Sequence, residues 1–305
     1  MFKYVLKRIL SILLTLWIVC TLTFFMMKAV PGGPFTSEKV LPEPVLEALN
    51  EKYHQNDPLF KQYIDYMVGV FTFHIGPSFK KVGVNVEDLM RAGFPVSARL
   101  GAVTLVIILI VGVPLGIVAV LNRGKWPDYL ATILATIGIA VPTFVMGSVM
   151  LYIFGAKLGW IPAYGFYSWK HYIGPCLTLA AFSMAFVMRL TRSSMIDVLN
   201  QDYILTAKAK GLPKRQVIFK HALKNALIPV VTYVGPMTAG LMSGSFVTEK
   251  IFAIPGMGKF FVEAINNRDY TVIMGTTFFY AALAAFMILL VDIIYAALDP
   301  RIKYE

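Results

Sequence analysis

Long apolar runs, separated by short polar stretches, set the rhythm of this chain. Six of them are long enough to cross a hydrocarbon core as helices, which takes roughly 20 residues each. They are Ile9–Met27, Leu100–Leu121, Tyr129–Phe154, Tyr172–Met188, Ala226–Phe246 and Thr271–Leu298, the fourth being short and carrying Pro175. The pattern predicts an all-α integral membrane protein with six transmembrane helices. An even number of crossings leaves both termini on one side.

Two segments break the rhythm. Pro31-Gly32-Gly33-Pro34 ends the first run, and Phe35 to Pro95 is polar and of mixed charge. Within it Val45, Leu49 and Tyr53 recur at four-residue spacing after Pro42 and Pro44, one apolar face of a short helix. Asn56-Asp57-Pro58 has the form of an N-cap followed by proline in the first turn, opening a helix with Phe60, Tyr63, Ile64 and Met67. A segment so long and so patterned is not a slack loop. We expect an anchor helix over 1–30, a compact lobe over 31–95 and a membrane core over 96–305. The lobe reads either as a structural cap or as a docking surface for a substrate-delivering protein.

The second exception is Gln201–Pro229, between the fourth and fifth runs. It carries Lys208, Lys210, Lys214, Arg215, Lys220 and Lys224, with Asp202 as its acid. Leu199, Ile204, Leu205 and Ala209 suit a helix with one apolar face, as do Val217, Ile218, Ala222 and Leu223 after the break at Gly211-Leu212-Pro213. The spacing predicts helix, sharp turn, helix at a membrane surface. By charge alone the favoured reading is only a basic cytoplasmic loop shaped by topology.

The formal net charge is +11 in a chain that is 57% hydrophobic, with a mean hydropathy of +0.68. Its distribution argues against nucleic acid as the partner. Lys3, Lys7 and Arg8, then Arg123 and Lys125, then Arg189 to Lys224, then Arg301 and Lys303 all fall on one face of a six-span topology. On the other face, lysines such as Lys52 and Lys80 are offset by acids such as Glu47, Asp57 and Glu87. This is the positive-inside pattern, and it places both termini in the cytoplasm and the lobe outside. The first run is too long for a signal h-region, and Met26-Met27-Lys28-Ala29-Val30 offers no small-x-small cleavage site, so a retained span is expected.

With these residues set out, a resemblance is specific. Thr206-Ala207-Lys208-Ala209-Lys210-Gly211-Leu212-Pro213, followed by His221-Ala222-Leu223-Lys224-Asn225-Ala226 and Pro229, resembles the coupling loop of importer-type ABC transporter permeases, in the form of their peptide/nickel branch. Leu205-Thr206-Ala207 replace the wider family's Glu-Ala-Ala, so no acidic contact carries over. Pro31-Gly32-Gly33-Pro34-Phe35, Asn56-Asp57-Pro58-Leu59, Gly76-Pro77-Ser78-Phe79 and Phe94-Pro95-Val96-Ser97 resemble the first membrane subunit of the oligopeptide permeases, and the likeness runs nearly end to end. The resemblance implies that Thr206 to Pro213 dock on an ATP-binding subunit. It implies a second permease subunit, two ATP-binding subunits and an extracytoplasmic peptide-binding protein. It also implies a multi-pass place in the bacterial inner membrane among lipids, and import of oligopeptides or dipeptides. Nickel or another small solute is the alternative cargo, and an ion-coupled secondary transporter the rival class.

Other features are ambiguous or negative. Pro114 and Pro142 mark kinks inside spans, or a pathway. Trp160, Tyr164, Tyr167, Trp169 and Tyr172 form an interfacial aromatic belt. Gly235, Pro236, Gly240, Ser243 and Gly244 make the fifth span rich in small residues, which suits either close helix packing across a subunit interface or a path lining. Ala253-Ile254-Pro255-Gly256-Met257-Gly258-Lys259 falls short of a phosphate loop, with Ala253 at the first glycine and Phe260 at the hydroxyl position, so no nucleotide site is expected. Asp292, inside the sixth span, reads as structural or functional. Cys20 and Cys176 read as small buried hydrophobes, and His54, His74, His171 and His221 are scattered outside the spans. No catalytic residue, cofactor or metal is expected.

Overall fold

The computed structural model describes residues 2–35 and 42–298, and all regular structure there is helical. The Asp292 side chain, Asp299-Pro300-Arg301 and Lys303 lie outside the described residues. In chain order the helices are α1 (Phe2–Ala29), α2 (Glu43–Lys52), α3 (Leu59–Phe71), α4 (Val86–Leu121), α5 (Trp126–Ala140), α6 (Thr143–Met150) and α7 (Lys170–Leu199). They continue as α8 (Asp202–Ala209), α9 (Lys214–Gln216), α10 (Leu223–Ala226), α11 (Ile228–Met242), α12 (Phe246–Ile251), α13 (Met257–Asn267) and α14 (Tyr270–Leu298). Leu151–Lys157 and Val217–Ala222 are π-helical.

Five stretches are long and apolar enough to cross a membrane: Leu6–Ala29, Val86–Leu121, Lys170–Leu199, Ile228–Ile251 and Tyr270–Leu290. The expected third span is not straight. α5 and the α6 segment meet at 106°, and together they make the sixth candidate. The cause is local. Pro142 has no N–H to continue the helix, and the residue before it, Val141, sits at φ −82°, ψ 121°, as a pre-proline residue prefers.

Pro95 and Pro114, by contrast, lie inside α4 without ending it. At 36 residues α4 is roughly 54 Å long. That exceeds a hydrocarbon core of roughly 30 Å, and the helix begins at Val86, well ahead of the apolar run Leu100–Leu121 that it carries.

The centre of the fold is the contact of α4 with α7. A Cβ at Gly116 would lie 2.7 Å from both the Met188 carbonyl oxygen and Thr191 Cβ, so these helices touch backbone to backbone. Around them Ile108, Ala180, Val187, Val230 and Met237 join α4, α7 and α11 in one apolar cluster. Ala119, Ala131, Ala135, Ala185 and Met188 add α5 in another. Cys20 of α1 and Cys176 of α7 are buried free thiols. The outer surface exposes Leu10, Leu14, Leu22, Met26 and Ile110, as a lipid-facing surface does. Trp160, Tyr164, Tyr167 and Trp169 are likewise exposed in the loop before α7.

The α2–α3 lobe rests on α1 and α14. Leu16 and Cys20 of α1 meet Met67 and Val70 of α3 and Phe278 of α14. Thr21 Oγ1 and the Tyr63 hydroxyl are 2.8 Å apart. Phe35, Tyr53 and Phe79 form an aromatic trio with centroids 4.9–5.6 Å apart. Asp269, just before α14, holds the lobe's lower loop: Phe79 N–H donates to Oδ1 at 3.1 Å and the Ser78 hydroxyl donates to Oδ2.

The backbone contact at Gly116 generates a stability test. Gly116→Ala should destabilise the purified chain by about 1–3 kcal/mol through overpacking. Gly240 faces open space in α11, so Gly240→Ala should leave thermal unfolding in detergent unchanged. Equal midpoints for both variants would contradict a close-packed α4–α7 seam.

Candidate functional site

The basic segment folds as the spacing predicts, and its turn has an identifiable chemistry. α8 ends in a left-handed cap: Gly211 N–H donates to the Lys208 carbonyl at 3.0 Å and Leu212 N–H to the Ala207 carbonyl at 3.4 Å. These are the paired bonds of a Schellman motif, which needs a residue with positive φ after the helix. Gly211 supplies it at φ +74°. Pro213 follows at φ −63° and starts the next helical stretch, its carbonyl accepting from Gln216 and Val217 N–H at 2.8 and 3.1 Å. The two arms are joined by Asn225 Nδ2, which donates to the Tyr203 hydroxyl at 2.8 Å.

One face of this helix–turn–helix is packed and the other is free. Ile204, Ala207, Val217, Ile218 and Ala222 are buried against Val120 of α4 and Met195 of α7, with Leu212 partly buried over them. Thr206, Lys208, Ala209, Lys210, Gly211, Pro213, Lys214 and Arg215 are exposed. Between these cations Tyr203, Leu205 and Phe219 expose apolar side chains, at 42%, 53% and 53%. Among the described residues none of Lys208, Lys210, Lys214 and Arg215 makes an ion pair. The segment is a rigid platform with a basic, partly apolar outer surface, suited to a protein groove. Its apolar anchors fix its direction relative to α4 and α7.

An ion pair lies near this platform, on α7 one turn before Met195. Arg192 Nε donates to Asp128 Oδ1 at 2.7 Å, and a terminal guanidinium nitrogen to Oδ2 at 2.9 Å, while Gly124 N–H donates to Oδ2 at 3.1 Å. The fork clamps the first turn of α5 to α7, and Gly124 N–H holds the preceding loop on the same carboxylate. Sequence reasoning missed it, since the partners are 64 residues apart and no local pattern pairs them.

A second missed group is Glu249, fully buried beside Ser97. The Ser97 hydroxyl donates to Glu249 Oε1 at 2.6 Å, and Gly258 and Lys259 N–H donate to Oε2 at 2.8 and 3.3 Å. Met257 N–H donates in turn to Ser97 Oγ at 2.9 Å. The stretch that falls short of a phosphate loop does hold an acidic group at a helix N-terminus, but that group is the chain's own Glu249 carboxyl. The signal was there: a glycine-rich turn opening a helix, with an acid a few residues before it.

The small residues of the fifth span separate. Gly235 is buried, whereas Pro236 and Gly240 are exposed on α11. α11 ends at Met242, so Gly240 and Gly244 do not share a helix face; Ser243 donates back to the Gly240 carbonyl at 3.0 Å, and Gly244 turns the chain at φ +96°.

Comparison with known proteins gives this architecture its relatives. Residues 112–304 match the family model described as "Binding-protein-dependent transport system inner membrane component", and residues 1–86 match the model for the N-terminal part of such membrane components. The chain belongs to this family of transport permeases. It is 49% identical to the dipeptide transport system permease protein DppB of Bacillus subtilis, over 99% of this chain and 98% of that one. It is 42% identical to the oligopeptide transport system permease protein OppB of Salmonella typhimurium, over the whole of both chains. Among solved structures, the inward-facing methionine ABC transporter MetNI contains a chain of the same fold, with TM-score 0.57 and 16% identity, covering 69% of this chain and 96% of that one. This permease is therefore a multi-pass inner-membrane protein.

The platform's rigidity can be measured directly. Ile204 is fully buried beneath it. Ile204→Ala should weaken its seating by about 2–5 kcal/mol, seen as faster hydrogen exchange across residues 202–222 with the α4–α7 seam still protected. Unchanged exchange would mean that something other than this apolar anchor holds the loop.

Proposed function

We propose that this chain is one of two membrane subunits of an ATP-driven importer of peptides, and that Gln201–Pro229 is where the ATP-binding subunits act on it. The observation that carries the reading is the platform. A short helix ends in a left-handed glycine turn, with its inner face locked to α4 and α7 and its outer face basic and unpaired. A push on such a platform moves two of the longest helices in the chain as a unit. Full-length likeness to a dipeptide and an oligopeptide permease supports peptide cargo.

In this reading the chain hydrolyses nothing. The family likeness supports a partner set of a second, different permease subunit, two ATP-binding subunits and an extracytoplasmic peptide-binding protein. The path for peptide then runs between the two permeases, which suits the open, partnerless surface at Gly240. The α2–α3 lobe is proposed as the docking surface for the binding protein, presented by Asp269 and by the packing on α1 and α14. The charge distribution supports cytoplasmic termini and a cytoplasmic platform.

Gly211 separates coupling from folding. A Cβ there meets nothing within 4 Å, so substitution acts through the backbone alone. Forcing valine into the left-handed region costs about 1–2 kcal/mol. Gly211→Val should leave insertion and assembly of the spans intact while peptide uptake fails. The ATPase subunits should either dissociate or hydrolyse ATP without responding to loaded binding protein. Lys208→Ala and Lys214→Ala should be milder, since exposed charges contribute about 0–1 kcal/mol each. Reconstituted membranes give both readings, and normal peptide-stimulated ATPase activity in Gly211→Val would reduce the segment to a basic loop.

Orientation has its own test. Cysteine replacing Lys80 should react with an impermeant thiol reagent in intact cells, and cysteine replacing Lys214 should not. The opposite labelling would overturn the arrangement of lobe and platform.

A further inference from the structure

Beneath the lobe, between α1, α3 and α14, lies a cavity of about 240 Å³. Measured in the same way, a single water needs roughly 10–15 Å³, so the space is sized for a molecule rather than a bridging solvent. Its walls include Phe24, Tyr66, Phe79 and Met274; Lys52 and Asp65 also line it, and two further polar groups on the wall have hydrogen-bonding capacity to spare.

The first is Lys28, the last charged residue of α1. Its ammonium donates to the side-chain oxygen of Gln55 at 2.8 Å and to that of Gln62. Both amides are fixed from behind. Gln62 Nε2 donates to the Gln55 and Asp57 carbonyls at 2.9 and 2.7 Å, and Gln55 Nε2 to the Tyr53 carbonyl at 3.0 Å. The oxygens that face Lys28 are thus set in place, yet they are neutral. Among the described residues no carboxylate pairs with this ammonium, and one of its three N–H groups remains. The second group is the Tyr270 hydroxyl. Tyr270 is 4% exposed and lines the same cavity, and its buried oxygen has no hydrogen-bond partner. A half-buried cation and a phenolic hydroxyl on the wall of one cavity are groups that suit an oxyanion.

We propose that this cavity binds the phosphate of a zwitterionic phospholipid headgroup of the ethanolamine type. The depth argues for lipid. Leu22, Phe25 and Met26 expose 58%, 48% and 65% of their surface on α1 just before Lys28, so the apolar belt ends and the headgroup layer begins at this residue. The aromatic and methionine walls accommodate the glycerol and upper acyl carbons. Asp65, also on the wall and exposed, faces the same space with the opposite charge and selects an ammonium-bearing headgroup over one that is only anionic. Such a lipid would cement the lobe to the end of α1, joining the anchor helix to the surface that receives the binding protein.

Native mass spectrometry of the permease, purified with its partner subunits from membranes holding both phosphatidylethanolamine and phosphatidylglycerol, tests this. Wild type should retain phosphatidylethanolamine through delipidation. Lys28→Gln should lower its retention about tenfold or more, the loss of one charged hydrogen-bonding group. Tyr270→Phe, which removes only a hydroxyl, should lower it less, and Lys28→Arg should keep it. Asp65→Asn should erase the preference over phosphatidylglycerol. Lys125→Gln, outside the cavity in the α4–α5 loop, serves as the unaffected control. Equal retention in wild type, Lys28→Gln and Tyr270→Phe would overturn the site. Stabilisation of wild type by inorganic phosphate, with no lipid retained, would overturn the lipid assignment in favour of a soluble anion. If Lys28→Gln fails to assemble, Tyr270→Phe and Asp65→Asn still decide the matter.

Discussion

A hydrocarbon core offers no water to a stray N–H or C=O, and that constraint shapes nearly everything in this permease. Helices satisfy their own backbones, so the chain crosses as helices. Wherever a helix is interrupted, the released groups must be met from inside the protein. At Val141-Pro142 the chain bends by 106°. Between Met242 and Phe246 it turns through Gly244, with Ser245 capping the next helix by accepting from Thr248 N–H at 3.3 Å. With lipid outside as apolar as the interior, the helices adhere by packing rather than by escape from water. The seam at Gly116, where α4 lies on the α7 backbone, is the result.

The same economy explains why the platform works as one body with the core. An eight-residue helix such as α8 is too short to persist alone in water. Its stability comes from Ile204 and Ala207 on the inner side and from the Schellman bonds at its end. Orientation then follows without further contacts, because Val120 and Met195 belong to the helices that meet at the seam.

Three carboxylates close the structure over long sequence distances. Asp128 draws the start of α5 to α7, Glu249 ties α12 and α13 to α4 through Ser97, and Asp269 grips the lobe through Ser78 and Phe79. Each is almost fully buried, at 4%, 0% and 3% exposure. A buried carboxyl is tolerated where its oxygens are met, here by guanidinium, hydroxyl or backbone N–H. All three therefore act as specific locks between elements that the apolar pattern leaves free to slide.

Apolar run length, charge bias and turn chemistry are local properties, and they were legible directly. The helical class, the candidate spans, the two lobe helices and the helix–Gly211–helix break could be read from them, because a membrane helix and a glycine cap depend on neighbours within a turn or two. The 106° break was legible only as a kink at Pro142, since proline ends the hydrogen bonding but the angle is set by what the second half packs against. The start of α4 at Val86, ahead of the apolar run it carries, escaped for the same reason. Tertiary structure alone decided which distant donors the three buried acids meet, and that a cavity opens beside Lys28. Those outcomes depend on groups tens to hundreds of residues apart being brought within 3 Å of one another, and no local pattern encodes such a meeting.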